Sequence, residues 1–535
     1  MNITHVDCDV LIIGSGIAGL RAALEVSRLG KKPLLVSKAP LGKANNTYLA
    51  GGLFAFGAQE SVRLKHIAKT LKSGRGLNDL QLVETFAREA PAMVRELQEM
   101  GMGGVLHEMG LVTRQATLIG GPGITPPLVR ACEERRVPFL TGMMVTDLII
   151  ADGACRGAIG FHKRTGEVFG FRAGAVLLAT GGAGSIYCQN NNAPGITGDG
   201  YSLALRAGME LMDMEFVQFY PMVRSKGGLA RTIVPAVLAD LGTITNRLGE
   251  DLKAKYDLRE KPIALASRDR FAQALFREIS QGNGVEGGIS LDLRHVDNAK
   301  IPFEETARES LRRNFHYDRE PIKIAPACHH TMGGVPIDAS GGTAMTGLFA
   351  AGEVVGGIHG ANRMGGNALS ESLVFGALAA RSAVAKADSL SPLPRFETLA
   401  KETVQETFSP AMGNPKNPSM ARTIMGRLGR ILWDRAGIVR SEDSLKQSMG
   451  GIEGILRELE GQQASHPRDF CSILECRNAA LCGMAITVSA LKRTESRGSH
   501  FREDFPEVRE EWRKHVYVQI KQGIPEVSRV APLND

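Results

Sequence analysis

Val10-Leu11-Ile12-Ile13-Gly14-Ser15-Gly16-Ile17-Ala18-Gly19 is the stretch that decides the fold. Its apolar, mostly β-branched start describes a strand buried on both faces. A Gly-x-Gly-x-x-Gly spacing follows at once, and LRAALEVSRLG after it reads as a helix ended by glycine. Lys32-Pro33-Leu34-Leu35-Val36 supplies a second strand. In this setting the glycines divide the work physically. Gly14 permits the tight turn, Gly16 lets the backbone approach a pyrophosphate, and Gly19 lets helix pack on strand. The helix start around Ser15, Ile17 and Ala18 offers unpaired N–H groups to phosphate. The acid that often ends the second strand is replaced by Ser37-Lys38, and a hydroxyl bonds a ribose less strongly than a carboxylate does.

The chain has 535 residues, 43% of them hydrophobic and 23% charged, which describes a multidomain globular protein rather than a disordered or fibrous one. A net charge of +7 is too dilute over this length to indicate nucleic acid. No uninterrupted apolar run approaches the ~18 residues of a membrane span. The eight cysteines include no Cys-x-x-Cys pair, and the Cys471, Cys476, Cys482 spacing lies in a helical pattern, so buried thiols are expected and no metal site. The N-terminus lacks a basic and apolar leader pattern, so the expected location is the cytoplasm or the cytoplasmic face of a membrane complex.

Glycine is the informative excess: 62 residues, against about 7% in average usage. It clusters again in AVLLATGGAG (175–184), which contains Thr180 and Gly181, in Thr197-Gly198-Asp199-Gly200, in SGGTAMTGLFAAG (340–352) before Glu353, and in GGIHGANRMGG (356–366). A nicotinamide domain needs one such fingerprint. Repeated returns to one ligand suggest a longer cofactor, and FAD fits.

These residues resemble the flavoprotein subunits of succinate dehydrogenase and fumarate reductase, with L-aspartate oxidase as close kin. DMEFVQF, ACHHTMGGVPID, HGANRMGGNALSESLVFG and the C-terminal TESRGSHFREDFP carry the resemblance, and Ser37-Lys38 agrees with it. The resemblance implies an α/β fold: a Rossmann-like FAD-binding domain (1–223 and 335–385), an inserted α+β capping domain (224–334), and a helical C-terminal domain (386–535). Hinges or linkers are expected near Ser225-Lys226-Gly227-Gly228 and the PLPRFE stretch around 393–397. It also implies a small carboxylate substrate, an iron–sulfur partner subunit, and hydride transfer between FAD and a C=C bond beside a carboxylate.

Site roles follow by match. Arg363 corresponds to the family's carboxylate-clamping arginine, a role that suits a planar guanidinium. His329 stands at the same carboxylate end, and Arg268 matches the arginine that donates the proton. Asp199 and Glu353 are expected near the FAD ribose and ribityl chain. Ala368-Leu369 would start a helix at the flavin pyrimidine. Gly51 and Gly52 close the loop after Asn45-Asn46-Thr47, where the respiratory members carry a flavin-linking histidine. Asn46 holds that place, an amide cannot form the bond, and noncovalent FAD is expected. In the family, loss of the link goes with a lower flavin potential, which points toward alkene reduction, or reoxidation by oxygen, rather than succinate oxidation.

Further departures concern the substrate. Tyr220 replaces a substrate-contacting histidine. Val234 and Pro235 stand for hydroxyl and carboxyl groups, and Leu238 for a relay arginine. Arg231 and Thr232 are the alternative polar groups nearby. An ionised carboxylate against Val, Pro and Leu lacks partners at a cost of several kcal/mol. The expected substrate therefore carries one gripped carboxylate and a less polar second end. The alternatives are an L-aspartate oxidase-like enzyme and an FAD electron-relay subunit of an iron–sulfur complex.

Overall fold

Apolar side chains on both faces bury the C-terminal end of the first strand, Ile3–Ile13 (β1), completely. Gly14 then turns at φ +117°, and a Cβ there would lie 2.1 Å from Ala179 O, so no other residue fits. Ile17–Arg28 (α1) follows, and the chain returns as Pro33–Ser37 (β2), parallel to β1. The computed structural model that shows this describes residues 2–113, 124–225, 232–389, 393–408, 413 and 420–533.

β1 and β2 lie inside a seven-stranded sheet. Phe139–Thr141 pairs parallel to β2, and Val168–Leu178 parallel to β1 on its other side. Val168–Leu178 also pairs antiparallel with Ala154–His162 in one half and parallel with Leu348–Ala350 in the other. The last pairing brings the glycine-rich segment after residue 340 back beside the Gly14 turn. The helix Asn367–Ser389 then packs on α1, where a Cβ at Gly376 would come within 2.6 Å of Ala18 O.

Between these returns stands a second core. Strands Val217–Arg224, Ile322–Thr331, Ile289–Asp292 and Thr243–Thr245 form an antiparallel sheet. They enclose a separate apolar cluster that includes Val234, Leu238, Phe271, Leu275 and Leu291. Val217–Arg224 belongs to this sheet and crosses the expected border after residue 223, so pairing of the second sheet, the expected cap, starts before that border. Of the expected hinge, Lys226, Gly227 and Gly228 lie outside the described residues.

The expected helical C-terminal domain needs correction at its end. Helices Phe396–Phe408, Met420–Arg435, Glu442–Leu459 and Pro467–Lys492 are followed by a β-hairpin, Lys514–Lys521 with Ile524–Pro532, which adds to Leu211–Met212. Val516-Tyr517-Val518-Gln519-Ile520 has the β-branched and aromatic content of a strand, and Gln522-Gly523 turns with φ +49° and +87°, as a tight hairpin requires. Two helices, Asn367–Ser389 and Pro467–Lys492, are long and apolar enough to cross a bilayer by length and composition, but 67% of each apolar window is buried within the fold. They are core helices.

The Glu495–His500 segment is a buried ionic knot. Arg493 contacts Glu215 Oε1 at 2.6 Å and Glu495 Oε1 at 3.2 Å, and Arg497 Nε donates to Glu495 Oε1 at 2.7 Å. His515 Nδ1 meets Asp213 Oδ2 at 2.5 Å. Asp213 and Glu215 immediately precede the strand Val217–Arg224, so this knot fixes where the cap begins.

Candidate active site

A cavity of about 660 Å³ runs from the Gly14–Ala18 turn to the cap. It is the size of a cofactor or drug-like site. Every residue expected to touch the cofactor lines it except Gly19, which packs against Gly14 instead: a Cβ there would lie 1.9 Å from Gly14 O.

At one end the chain offers a phosphate cradle. Gly16 is the N-cap of α1, makes no side-chain cap, and no acid occupies the first turn, so the positive helix end faces the cavity unneutralised. A Cβ at Gly16 would meet only Thr47 Oγ1, at 3.4 Å, which leaves the backbone open to an approaching anion. Ser15 and Ser37 share a hydroxyl hydrogen bond of 2.8 Å. Lys38 Nζ meets Asp199 Oδ2 at 2.6 Å and Glu475 Oε1 at 2.7 Å, and Asn478 donates to Asp199 at 2.9 Å. Lys38 holds the Asp199 carboxyl below the usual range although burial opposes it. Glu475, which lines the cavity, and Asn478, which holds Asp199, come from the C-terminal helix Pro467–Lys492, and nothing in their local sequence marks them for this.

In the middle, the Asn46 amide donates to Asn192 Oδ1 (2.6 Å) and Glu353 Oε2 (3.1 Å) and accepts from Ala193 N (3.0 Å). Glu353 also accepts from Thr331 N at 3.1 Å, and burial pushes its carboxyl up. Ala368 and Leu369 line the cavity at the start of the helix Asn367–Ser389. Ile17 N at the start of α1 donates to Thr47 Oγ1 at 3.1 Å; the open Gly16 backbone, the positive helix end and the length of the cavity fit FAD.

The far end gathers the expected substrate residues. Arg363 is buried, and Gln218 Oε1 accepts from its Nε at 3.3 Å and its Nη2 at 3.2 Å. Burial and the Arg268 charge bring its guanidinium down to about 9. Arg268, 4% exposed, leaves Nε and Nη1 without a hydrogen-bond partner among the described residues. His329 Nδ1 lies 3.1 Å from Asn191 Oδ1; burial, then Arg363 and Arg268, hold the ring well below its usual range and thus neutral. His330, also lining the cavity, is neutral for the same reasons and stands 3.5 Å from Glu353.

Beside His329 and His330, the segments of this second core contribute Tyr220, Ile233 and Arg268 to the cavity among the described residues. The Tyr220 hydroxyl donates to Val234 O at 3.3 Å, and its ring carries Arg268 at 5.6 Å from the centroid. Tyr220 thus presents an aromatic face. The expected apolar lining by Val234, Pro235 and Leu238 is corrected: Val234 and Leu238 are fully buried in the cap's own core, Pro235 does not line the cavity, and Ile233 reaches it instead. Ile233 forms an extended bridge with Val223, so neighbouring side chains point to opposite faces. Thr232 does not line the cavity, and Arg231 lies outside the described residues.

Residues 9–369 match the family described as FAD binding domain, and residues 425–531 the one described as fumarate reductase flavoprotein C-term. The chain is 37% identical over 540 residues to a fumarate reductase (CoM/CoB) subunit of Methanothermobacter marburgensis, covering 96% of this chain and 97% of the relative. It is 34% identical over 531 residues to an uncharacterised FAD-dependent oxidoreductase of Methanocaldococcus jannaschii, with 96% of each covered. An L-aspartate oxidase of Streptomyces coelicolor is 32% identical, with 96% and 91% covered. Among solved structures, Escherichia coli quinol fumarate reductase FrdA superposes with a TM-score of 0.88 at 26% identity, over 99% of this chain and 97% of that one. The chain therefore belongs to the flavoprotein family of fumarate reductase and succinate dehydrogenase, and it is an FAD-dependent oxidoreductase.

Proposed function

We propose that this protein reduces a C=C bond beside a single carboxylate, using noncovalently held FAD. FAD, when bound, supplies the hydride. The observation that carries the reading is the pairing of two buried guanidinium groups, Arg268 and Arg363, in one cavity where, among the described residues, the cap also presents the Tyr220 ring, Ile233 and the neutral His329 and His330. Buried like charges are costly without a counter-ion, so an anionic ligand is favoured there. Arg363, held by Gln218, grips the carboxylate; neutral His329 flanks it; Arg268 delivers a proton to the alkene carbon. Ile233 and the Tyr220 ring pack on the substrate's other end, where they offer a second carboxylate no charged partner.

Asn46, fully engaged by Asn192, Glu353 and Ala193, supports noncovalent binding of the cofactor. The methanogen relative, named as one subunit of a fumarate reductase, supports a second polypeptide as the electron source, expected to carry iron–sulfur clusters. The test is anaerobic reduction of the bound flavin followed by mixing with enoates. Return of oxidised-flavin absorbance with mono-carboxylate enoates is expected. Unchanged absorbance with every enoate would favour an electron-relay role instead.

A further inference from the structure

Arg268 lines two cavities. One is the cofactor cavity. The other is a crevice of about 10 Å³, walled also by Gln218, Asp269, Gln273, Asn362 and Ser499. That volume is room for one water molecule, and the walls carry enough polar atoms to hold it. Asp269, Gln273 and Ser499 are half-buried, and the Asp269 carboxylate lies 3.4 Å from Arg75, whose side chain is 41% exposed. The crevice thus connects the protein surface with a buried guanidinium whose Nε and Nη1 have no partner among the described residues. On the cap side, Val234 and Leu238 are wholly buried among apolar side chains and carry no proton.

The charged and titratable groups around Arg268 narrow the choice. Tyr220 comes from the strand Val217–Arg224, its hydroxyl pushed up to about 12 by burial. His329 and His330 come from Ile322–Thr331 and are held neutral. Arg363 is a second cation. Asp269, next on Arg268's own helix, is the carboxylate among them.

We propose that Asp269, acting through water in this crevice, resupplies Arg268 with the proton that Arg268 gives to the substrate. The proposal rests on the alkene-reducing reading above. An N–H bond of the Arg268 guanidinium breaks as a C–H bond forms from the alkene π pair. Arg268 then takes a proton from the crevice water, the water takes one from the Asp269 carboxyl group, and Asp269 recovers its own from solvent. With the hydride supplied by FAD, one hydride and one solvent proton are added across the C=C bond. No other reductant is needed. Asp269 is in this account a positioning and relay residue, since it acts through Arg268.

The test uses the holoenzyme and a mono-carboxylate enoate that wild type reduces. Asp269→Asn is expected to lower kcat at least about tenfold and to enlarge the solvent deuterium isotope effect. Binding of a carboxylate inhibitor to the oxidised holoenzyme, read as a flavin difference spectrum, is expected to stay within about twofold of wild type. Asp269→Glu should recover most of the rate, which a purely structural role would not predict. An unchanged kcat in Asp269→Asn, or a Glu variant as slow as the Asn variant, overturns the relay alone. If Asp269→Asn fails to hold FAD, Gln273→Leu, which fills the crevice with an apolar side chain, carries the same test of rate and isotope effect. A wild type that reduces no enoate overturns the proposed function and the relay together.

Discussion

Arg268 and Arg363 enter one cavity from different parts of the chain, the first from the cap helix Arg268–Ser280 and the second from the HGANR loop, and neither makes an ion pair with a carboxylate among the described residues. Each guanidinium is pushed down by burial, and Arg363 further by the charge of Arg268. On the proposed function the pair receives the substrate carboxylate. Replacing Arg363 by Gln removes charge-assisted hydrogen bonds of about 1.5–3 kcal/mol each. The expected loss in kcat/KM is about 10²–10³-fold, with flavin content unchanged; Lys should not restore it, because it cannot reproduce the planar fork. Steady-state kinetics with flavin quantitation checks both.

The same end of the site separates what the sequence discloses from what it hides. The β1–turn–α1 unit, the later glycine returns and the Arg363 loop were legible because backbone geometry dictates residue type there: Gly14 has φ +117° and no room for a Cβ. The identity of the apolar cap residue was not. A one-residue shift along extended backbone exchanges faces, and Ile233 rather than Val234 reaches the cavity. Long-range contacts were equally silent: Glu475 meets Lys38 across more than four hundred residues of chain. The closing hairpin was hidden by the surrounding Lys/Arg/Glu content, although Val516–Ile520 carried a strand pattern.

Asn46 predicts the chemistry of the cofactor link. With its amide bound to Asn192, Glu353 and Ala193 N, acid precipitation of the holoprotein should leave the flavin in the supernatant. Flavin remaining with the washed pellet would contradict this.

Glu371 gives a pH dependence. It is fully buried, lies 3.8 Å from His359 Nε2, and burial pushes its carboxyl up to about 8. The unfolded value is about 4.3. Between these limits the folded chain retains a proton that the unfolded chain releases, so this group's contribution to stability falls as pH rises from about 4 to about 8 and is flat above. Glu371→Gln should flatten that part of the thermal-midpoint profile of the holoprotein, with little change at about pH 5.

Arg493 should be the most sensitive position of the C-terminal knot. Its side chain is fully buried and compensates Glu215, Asp213 and Glu495. Arg493→Met leaves buried Glu215 without its cation, while Asp213 keeps His515 and Glu495 keeps Arg497, an expected cost of about 3–5 kcal/mol. Differential scanning calorimetry should show a lowered transition, and loss of FAD should accompany it because the knot fixes the start of the cap.

The asymmetry of the substrate end is tested most directly by comparing crotonate with fumarate in kcat/KM, using chemically reduced holoenzyme, for wild type and Tyr220→His. For wild type the account predicts crotonate favoured by at least about a hundredfold, since the second carboxylate of fumarate would face the Tyr220 ring and Ile233 at a cost of several kcal/mol. Tyr220→His should narrow that gap by about tenfold, the worth of one hydrogen bond to a charged group. Wild-type turnover of fumarate equal to or faster than that of crotonate would contradict it.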